Sequence, residues 1–276
     1  MSPSHDAVLE GHLPIPSAHG QAGVIDALPR VPDPAPHASL EAQLTACLVR
    51  NAACVLGDVK PAALFSFRPR EAPASARPSR SASRPCCFPR DVRRAAWELS
   101  RRLASHGLRV DVLSTQPQRA LVLASRTQRI RELLADPDVS AFLVAAGYAV
   151  DNEPHLLSCL RHRLRDYDAA RARTDDIASA PTCGCPGECA SCPRRPQRPW
   201  EGTAPYPHEI GVLLGYPLAD VRGFIEHRGC GATAVGPWKV YGDIEGARAR
   251  WERMRTCSCV LCQRWEQGAS LEELIA

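Results

Sequence analysis

The sequence predicts an α+β fold: a small antiparallel sheet with helices packed on it, followed by a mainly helical C-terminal part. Three observations predict this architecture. Apolar residues recur at helical spacing over 40–56, the runs 108–113 and 120–124 alternate around a turn, and helical periodicity returns from residue 127 onwards. Because the order is helix, strand, helix, hairpin and then helices, we expect the helices to pack on one face of the sheet.

The first elements follow directly from local patterns. The helix over 40–56 is followed by a short apolar strand over 62–67. Asp91 is a favourable N-cap for a second helix, which Gly107 closes. The next two strands are separated by Ser-Thr-Gln-Pro-Gln, and residues of these types are common in hairpin turns.

The remaining elements are predicted to be helices. A break is expected at Asp136-Pro137, since proline favours the first turn of a new helix. In the C-terminal block, two apolar runs flank Gly215-Tyr216-Pro217, and Asp243 is a favourable N-cap for a long helix. Asp220 is expected on the surface of the helix that follows Pro217. These helices are predicted over 127–135, 137–146, 153–172, 208–214, 217–227, 244–267 and 271–275.

Composition divides the chain into four parts. Proline-rich stretches without an apolar period cannot bury enough surface to offset chain entropy, so we interpret them as tails, insertions or linkers. The predicted parts are a disordered Pro-rich tail over 1–38, an α+β domain over 39–172 with a mobile basic insertion at 68–89, a Cys/Pro-rich linker over 173–204, and a mainly helical block over 205–276 packed on the same domain.

Charge and hydropathy limit the classes of function. The net charge of +4 arises from 34 basic and 30 acidic residues, and so small a surplus argues neither for nor against nucleic-acid binding. No apolar run of membrane-spanning length occurs, and the first residues do not have the pattern of a secretory signal. Thirteen cysteines in a chain without an export signal indicate reduced thiols. We therefore expect a cytoplasmic protein.

Four cysteines form the densest cluster of metal-ligand residues. Cys183, Cys185, Cys189 and Cys192 occur within ten residues of a Pro- and Gly-rich stretch. Thiolates on such a loop can surround zinc or an iron–sulfur cluster. The spacing C-x-C-x3-C-x2-C matches neither ferredoxins nor ordinary zinc sites, so the alternatives are a metal site, a reactive thiol loop or an insertion without a role.

The C-terminal block contains a second candidate site. His208 and Glu209 lie at the start of a predicted helix, where backbone N–H groups favour an anion. A strand-like segment follows, and a His, a Glu, a Lys and a Tyr that converge can perform acid–base chemistry or bind an anionic ligand. The alternative is structural, with an ion pair between Glu209 and Lys239 and aromatic residues in the core. The candidate ligand-binding residues are His208, Glu209, Trp238, Lys239, Tyr241 and Asp243.

The blocks PHEIG, LGYP, GFI and WKVYGD between residues 207 and 243 resemble a bacterial family catalogued as domain of unknown function 3793. The resemblance extends more weakly to VKPAALFSF, LRVDVL and RALVLASR. It implies a fold unit and no reaction. Members often have a His-Cys pair before the first strand, where this chain has Asn51-Ala52-Ala53-Cys54, and commonly a cysteine that matches Cys257.

The cysteines on predicted helices are interpreted as small core residues. Cys47 and Cys54 are seven residues apart and share a helix face, whereas Cys257, Cys259 and Cys262 lie on the last long helix. The sequence contains no nucleophile elbow, phosphate loop, dinucleotide fingerprint or HExxH motif.

Three hypotheses for the function therefore remain. The first is a metal- or redox-linked accessory protein that uses the Cys183–Cys192 loop. The second is a small-molecule enzyme or binding protein that uses the C-terminal site. The third is a nucleic-acid-binding regulator, for which the predicted helix over 217–227 has few base-reading side chains.

Overall fold

The computed structural model describes residues 38–70, 88–116, 118–178 and 206–276, and for 171–178 it describes the backbone alone. Within these ranges, no helix combines the length and the apolar character that crossing a membrane requires. The helices are α1 Leu40–Leu56, α2 Phe88–Leu103, α3 Thr127–Ala135, α4 Pro137–Ala145, α5 Glu153–Ala178, α6 Ile210–Leu213, α7 Leu218–Glu226 and α8 Ile244–Glu266, and the strands are β1 Ala62–Phe67, β2 Leu108–Gln116, β3 Arg119–Arg126, β4 Ala234–Val235 and β5 Lys239–Val240.

The main sheet has three antiparallel strands in the order β1-β3-β2, and β4 and β5 form a separate two-stranded ribbon. The β2–β3 hairpin is longer than predicted, because Gln116 pairs with Arg119. A bulge between Val112 and Ser114 interrupts the alternation of side chains at Leu113. That interruption explains why the sequence pattern ends the strand at residue 113 and assigns the following residues to a turn.

The α+β class is confirmed, but the expectation that helices cover one face of the sheet is wrong. Phe65 and Val122 lie in a core formed with α1, α2 and the end of α8. Leu64 and Leu123, one position away on the same strands, lie in a second core with α3 to α7. Both faces are apolar along β1 and β3, so helices are needed on both sides of the sheet.

Three helix boundaries differ from the predictions. α2 begins at Phe88, so that Asp91 lies in its first turn instead of capping it. α5 continues to Ala178, because no proline or glycine follows its first turn before Pro181. α6 is a single turn, and His208 and Glu209 lie in the turn that precedes it.

The C-terminal part returns to the start of the fold. Leu261, Leu271 and Leu274 belong to the same core as α1 and α2. The buried Arg126 guanidinium donates to the carbonyl oxygens of Val55, Leu56 and Ala276, which ties the end of α1 to the end of the chain. The shared core brings α8 against α1, where the groups described next are located.

Candidate functional site

The predicted C-terminal site residues lie around α7. His208 contacts the Phe224 ring, with 4.8 Å between ring centroids, and the Lys239 Nζ atom lies 5.9 Å from the centroid of the same ring. Lys239 Nζ also donates to the Gly229 carbonyl at 2.8 Å, and Tyr241 stacks on His227. The structure therefore brings His208 and Lys239 to one aromatic ring and places Tyr241 farther along α7.

Of the other three members of the predicted set, Asp243 and Trp238 have local structural roles, whereas Glu209 has none that the structure shows. Asp243 caps α8, since its Oδ1 atom accepts from the Gly246 N–H at 2.9 Å. Glu209 forms no ion pair with Lys239 within the described ranges, and its buried Oε2 atom has no hydrogen-bond partner there. Trp238 is fully buried. Binding of a ligand by these six residues stays a prediction.

Asp220 organises this region, although the sequence placed it on the surface. Its side chain is 3% exposed, because the α7 face that carries it is turned towards β5. Oδ2 accepts from the Trp238 indole N–H at 2.8 Å, and Oδ1 accepts from the backbone N–H groups of Tyr241 and Gly242 at 2.8 and 3.0 Å. The surface prediction is wrong because these three donors replace the water that a carboxylate otherwise needs.

An aromatic stack leads from Trp238 towards α1. Tyr216 stacks on Trp238 with 5.0 Å between centroids, and Trp251 of α8 meets Trp238 edge-on at 5.4 Å. The Lys60 Nζ atom lies 5.4 Å from the centroid of the Tyr216 ring. Burial lowers the pKa of Lys60 and raises that of Tyr216 to about 12. The stack thus presents a partly buried amino group beside the end of α1.

Cys54 lies next to this amino group, at the contact between α1 and α8. Its Sγ atom is 3.2 Å from the Met254 carbonyl oxygen and 3.2 Å from the Ser258 Oγ atom, both on α8. Met254 and Ser258 are four residues apart and Cys257 lies between them, so all three face α1. The result is a cluster of Cys54, Lys60, Cys257 and Ser258, which we call the thiol site.

The surroundings of Cys54 favour its thiolate. The pKa of Cys54 is lowered to about 6. The largest cause is a hydrogen bond from Cys257, burial acts in the opposite direction, and the Ser258 hydroxyl and the Lys60 charge contribute to the lowering. In the thiol form the Cys54 proton is donated to Met254. Deprotonation therefore exchanges that bond for hydrogen bonds donated by Cys257 and Ser258. A thiolate is the nucleophilic form of cysteine.

Cys257 has the opposite character. Its hydrogen bond to Cys54 and its burial raise the Cys257 pKa, so Cys257 retains its proton while Cys54 loses one. The Cys257 Sγ atom lies 3.8 Å from the Ala53 carbonyl oxygen. Gly57 makes room for this sulfur, because a Cβ atom at position 57 would lie 2.5 Å from it. Two adjacent thiols with unequal acidity therefore meet across the helix contact.

A second group of buried polar atoms lies in the second core, just after α4 in the chain. The Tyr148 hydroxyl is buried without a hydrogen-bond partner among the described residues, and the Arg163 guanidinium lies 4.6 Å from the Tyr148 ring centroid. Burial and then the Glu209 charge raise the Tyr148 pKa. The Gly147-Tyr148 and His208-Glu209 segments thus approach one another in the second core.

The thiol site was missed by the sequence reasoning, which treated Cys54 and Cys257 as core residues. The only signal was their place in the family pattern, next to the first strand and on the last helix. The predicted ligands Cys183, Cys185, Cys189 and Cys192 lie outside the described residues. Among the residues described, no group of three His, Cys, Asp or Glu side chains is arranged to hold a metal ion.

Comparison with known proteins gives one match. No curated protein and no solved structure matches the chain. The model of a family described as protein of unknown function, DUF3793, matches residues 48–275, a range that includes the thiol site and the Asp220 contacts. This match covers most of the chain, and the protein therefore belongs to the DUF3793 family.

Proposed function

We propose that this protein is a redox-linked accessory protein of the cytoplasm in which Cys54 is the reactive thiolate. The observation that supports this proposal is the position of the Cys54 sulfur 3.2 Å from the Ser258 hydroxyl, on the turn of α8 that carries Cys257, where the charge of Lys60 also favours the thiolate. Reactive cysteines occur beside hydrogen-bond donors and positive charge, whereas inert cysteines lie in apolar surroundings.

The other described cysteines provide the contrast. Burial raises the pKa of Cys262, five residues from Cys257 on the same helix, to about 11. Cys262 packs in the core with α1 and α2 and behaves as a small apolar residue. The difference between Cys54 and Cys262 arises from their partners, because both side chains are buried.

The proposal is tested by measuring the alkylation of each cysteine by iodoacetamide as a function of pH in the reduced full-length protein. Mass spectrometry of tryptic peptides separates Cys54, on peptide 51–70, from the cysteines of peptide 256–264. We expect the Cys54 rate to rise with a midpoint near pH 6. The exposed Cys230 serves as the reference thiol.

Two variants of Lys60 separate charge from packing. Lys60→Met removes the positive charge and should move the Cys54 midpoint to higher pH, whereas Lys60→Arg retains the charge and should leave the midpoint close to that of the wild type. A wild-type midpoint near the value of an unperturbed thiol, 9.0, would exclude Cys54 as a reactive thiolate.

The cysteine-rich stretch supports a second candidate function, the binding of zinc or an iron–sulfur cluster by Cys183, Cys185, Cys189 and Cys192. The supporting observation is the presence of four thiols within ten residues. Elemental analysis and an absorption spectrum of protein purified without oxygen test it. Stoichiometric metal that is lost in a Cys189→Ser, Cys192→Ser variant is the expected result, and metal-free wild-type protein would rule it out.

A further inference from the structure

We infer that Cys54 and Cys257 form a reversible disulfide after a small hydroperoxide oxidises Cys54, so that the thiol site acts as a redox switch between α1 and α8. This inference rests on the proposed function, because it requires Cys54 to be the reactive thiol. It adds the class of oxidant, the identity of the second cysteine and the structural element that is changed.

The two cysteines lie on facing turns of α1 and α8. Cys54 Sγ lies between Met254 and Ser258 of α8, and Cys257 Sγ lies against the Ala53 carbonyl of α1. Cys257 lies on the same turn of α8 as Met254 and Ser258, and Ala53 is the residue next to Cys54 on α1. A disulfide has an S–S distance of about 2.05 Å, and a bond between these two cysteines would join α1 to α8 at the contact that both side chains already occupy.

The burial of Cys54 selects the oxidant. The side chain is 9% exposed, which admits a small molecule but not the thiol of another protein. A hydroperoxide meets this requirement. Cys257 is half-buried and faces the same contact, so a bulky disulfide reagent would have to separate α1 from α8 before it reached either sulfur.

The reaction proceeds in two balanced steps. The Cys54 thiolate attacks one oxygen of the hydroperoxide, the O–O bond breaks, and the products are a sulfenic acid on Cys54 and an alkoxide or hydroxide, which takes a proton from water. The Cys257 thiol then attacks the sulfenic sulfur, the S–S bond forms, and the Cys257 proton leaves with the sulfenic hydroxyl as water. Two electrons pass from the two thiols to the peroxide, and a small dithiol reverses the change.

Gly57 provides a test of the geometry that leaves both cysteines in place. A Cβ atom at position 57 would lie 2.5 Å from Cys257 Sγ and 3.2 Å from the Leu261 side chain, so Gly57→Ala must displace the Cys257 sulfur. The backbone at Gly57 has φ −84°, which alanine adopts without strain. We expect the disulfide to form at least roughly tenfold more slowly in this variant than in the wild type, since a misplacement of about 1 Å reduces the rate of such a reaction strongly.

The experiment treats reduced full-length protein with hydrogen peroxide, blocks free thiols with N-ethylmaleimide and digests the protein without reductant. We expect a cross-linked product of peptides 51–70 and 256–264 that dithiothreitol releases, with fragment ions that assign the bond to Cys257. Cys257→Ser should abolish the product and let dimedone trap the Cys54 sulfenic acid. Cys259→Ser, on the same peptide, is the matched control and should retain the product.

The outcomes separate this inference from the proposed function. If Cys54 is alkylated with a midpoint near pH 6 but no Cys54–Cys257 product forms, the redox switch is refuted and the reactive thiolate stands. Equal dimedone labelling of Cys54 in the wild type and in Cys257→Ser refutes it in the same way, as does a bond to Cys259 or Cys262. If neither alkylation nor peroxide modifies Cys54 preferentially, the proposed function fails and the switch fails with it.

Discussion

The substitution Asp220→Asn measures how much the hydrogen bonds of one buried carboxylate, which hold the segment around β5 against α7, contribute to the stability of the fold. The carboxylate accepts three hydrogen bonds, with Trp238 at one oxygen and Tyr241 and Gly242 at the other. Asparagine has the same volume, so the substitution leaves no cavity. It replaces one acceptor oxygen by an NH₂ donor and removes the charge.

The magnitude follows from these contacts. If the amide oxygen replaces Oδ1, the two backbone N–H groups keep an acceptor but lose the extra strength of a charged one, about 1 kcal/mol each. The buried Trp238 indole N–H then faces another donor, and an unsatisfied buried group costs about 1–3 kcal/mol. The free energy of unfolding should therefore fall by about 3–5 kcal/mol, a large part of the stability of an ordinary domain.

Urea unfolding monitored by tryptophan fluorescence measures this loss, and a double-mutant cycle assigns it. Trp238→Phe removes the indole donor, so Asp220→Asn should cost about 1–3 kcal/mol less in that background than in the wild type. Glu226→Gln, at an exposed position of the same helix, is the matched control and should change stability by about 0.5 kcal/mol or less.

Two results would contradict this reasoning. If Asp220→Asn unfolds at the same urea concentration as the wild type, the three hydrogen bonds do not stabilise the fold. If the cost is present but does not depend on residue 238, the loss does not arise from the indole contact.

Three further predictions concern other contacts. Arg126→Lys should lower the free energy of unfolding by about 2–4 kcal/mol, because lysine cannot reach several carbonyl oxygens as the guanidinium does, and denaturant unfolding measures it. Gly223→Ala should lower the free energy of unfolding by about 1–3 kcal/mol, because a Cβ atom would lie 2.6 Å from the Tyr241 Cβ and Cγ atoms. Helix propensity alone favours alanine, so unchanged or higher stability would show that β5 can shift. The folded-state pKa of Cys54 is about 6 against 9.0 for a free thiol. The stability that its thiolate contributes is therefore present above pH 9 and is lost as the pH falls through 6. The unfolding temperature should rise from pH 5.5 to 8.5 in the wild type but not in Cys54→Ser.

The secondary structure was largely predictable because its signals are local. The apolar period of α1, the break at Asp136-Pro137 and the capping of α8 by Asp243 each depend on a few neighbouring residues. The bulge near Leu113 was not predictable, since it depends on how β2 pairs with β3. The covering of both sheet faces also depends on tertiary packing, which a sequence pattern does not specify.

The candidate site was less predictable from the sequence, because it also depends on tertiary packing. Asp220 appears polar and surface-exposed until its donors are known, and those donors lie about twenty positions later in the chain. A buried indole and a tight backbone turn need an acceptor, so the block around Trp238 could have indicated that a carboxylate was required. Cys54 and Cys257 are 203 positions apart, and no local pattern connects them.

The packing of α8 on α1 has a consequence for the synthesis of the protein. Ile244, where α8 begins, follows the end of α1 by 188 positions. At about 5–20 residues per second, a ribosome needs on the order of 10–40 s to reach it. During that time, the face of α1 that carries Cys54 lacks its partner helix, and the first core lacks Leu261, Leu271 and Leu274. The fold therefore completes only after almost the whole family region has been translated, and until then the thiol is open to reagents that the finished protein excludes.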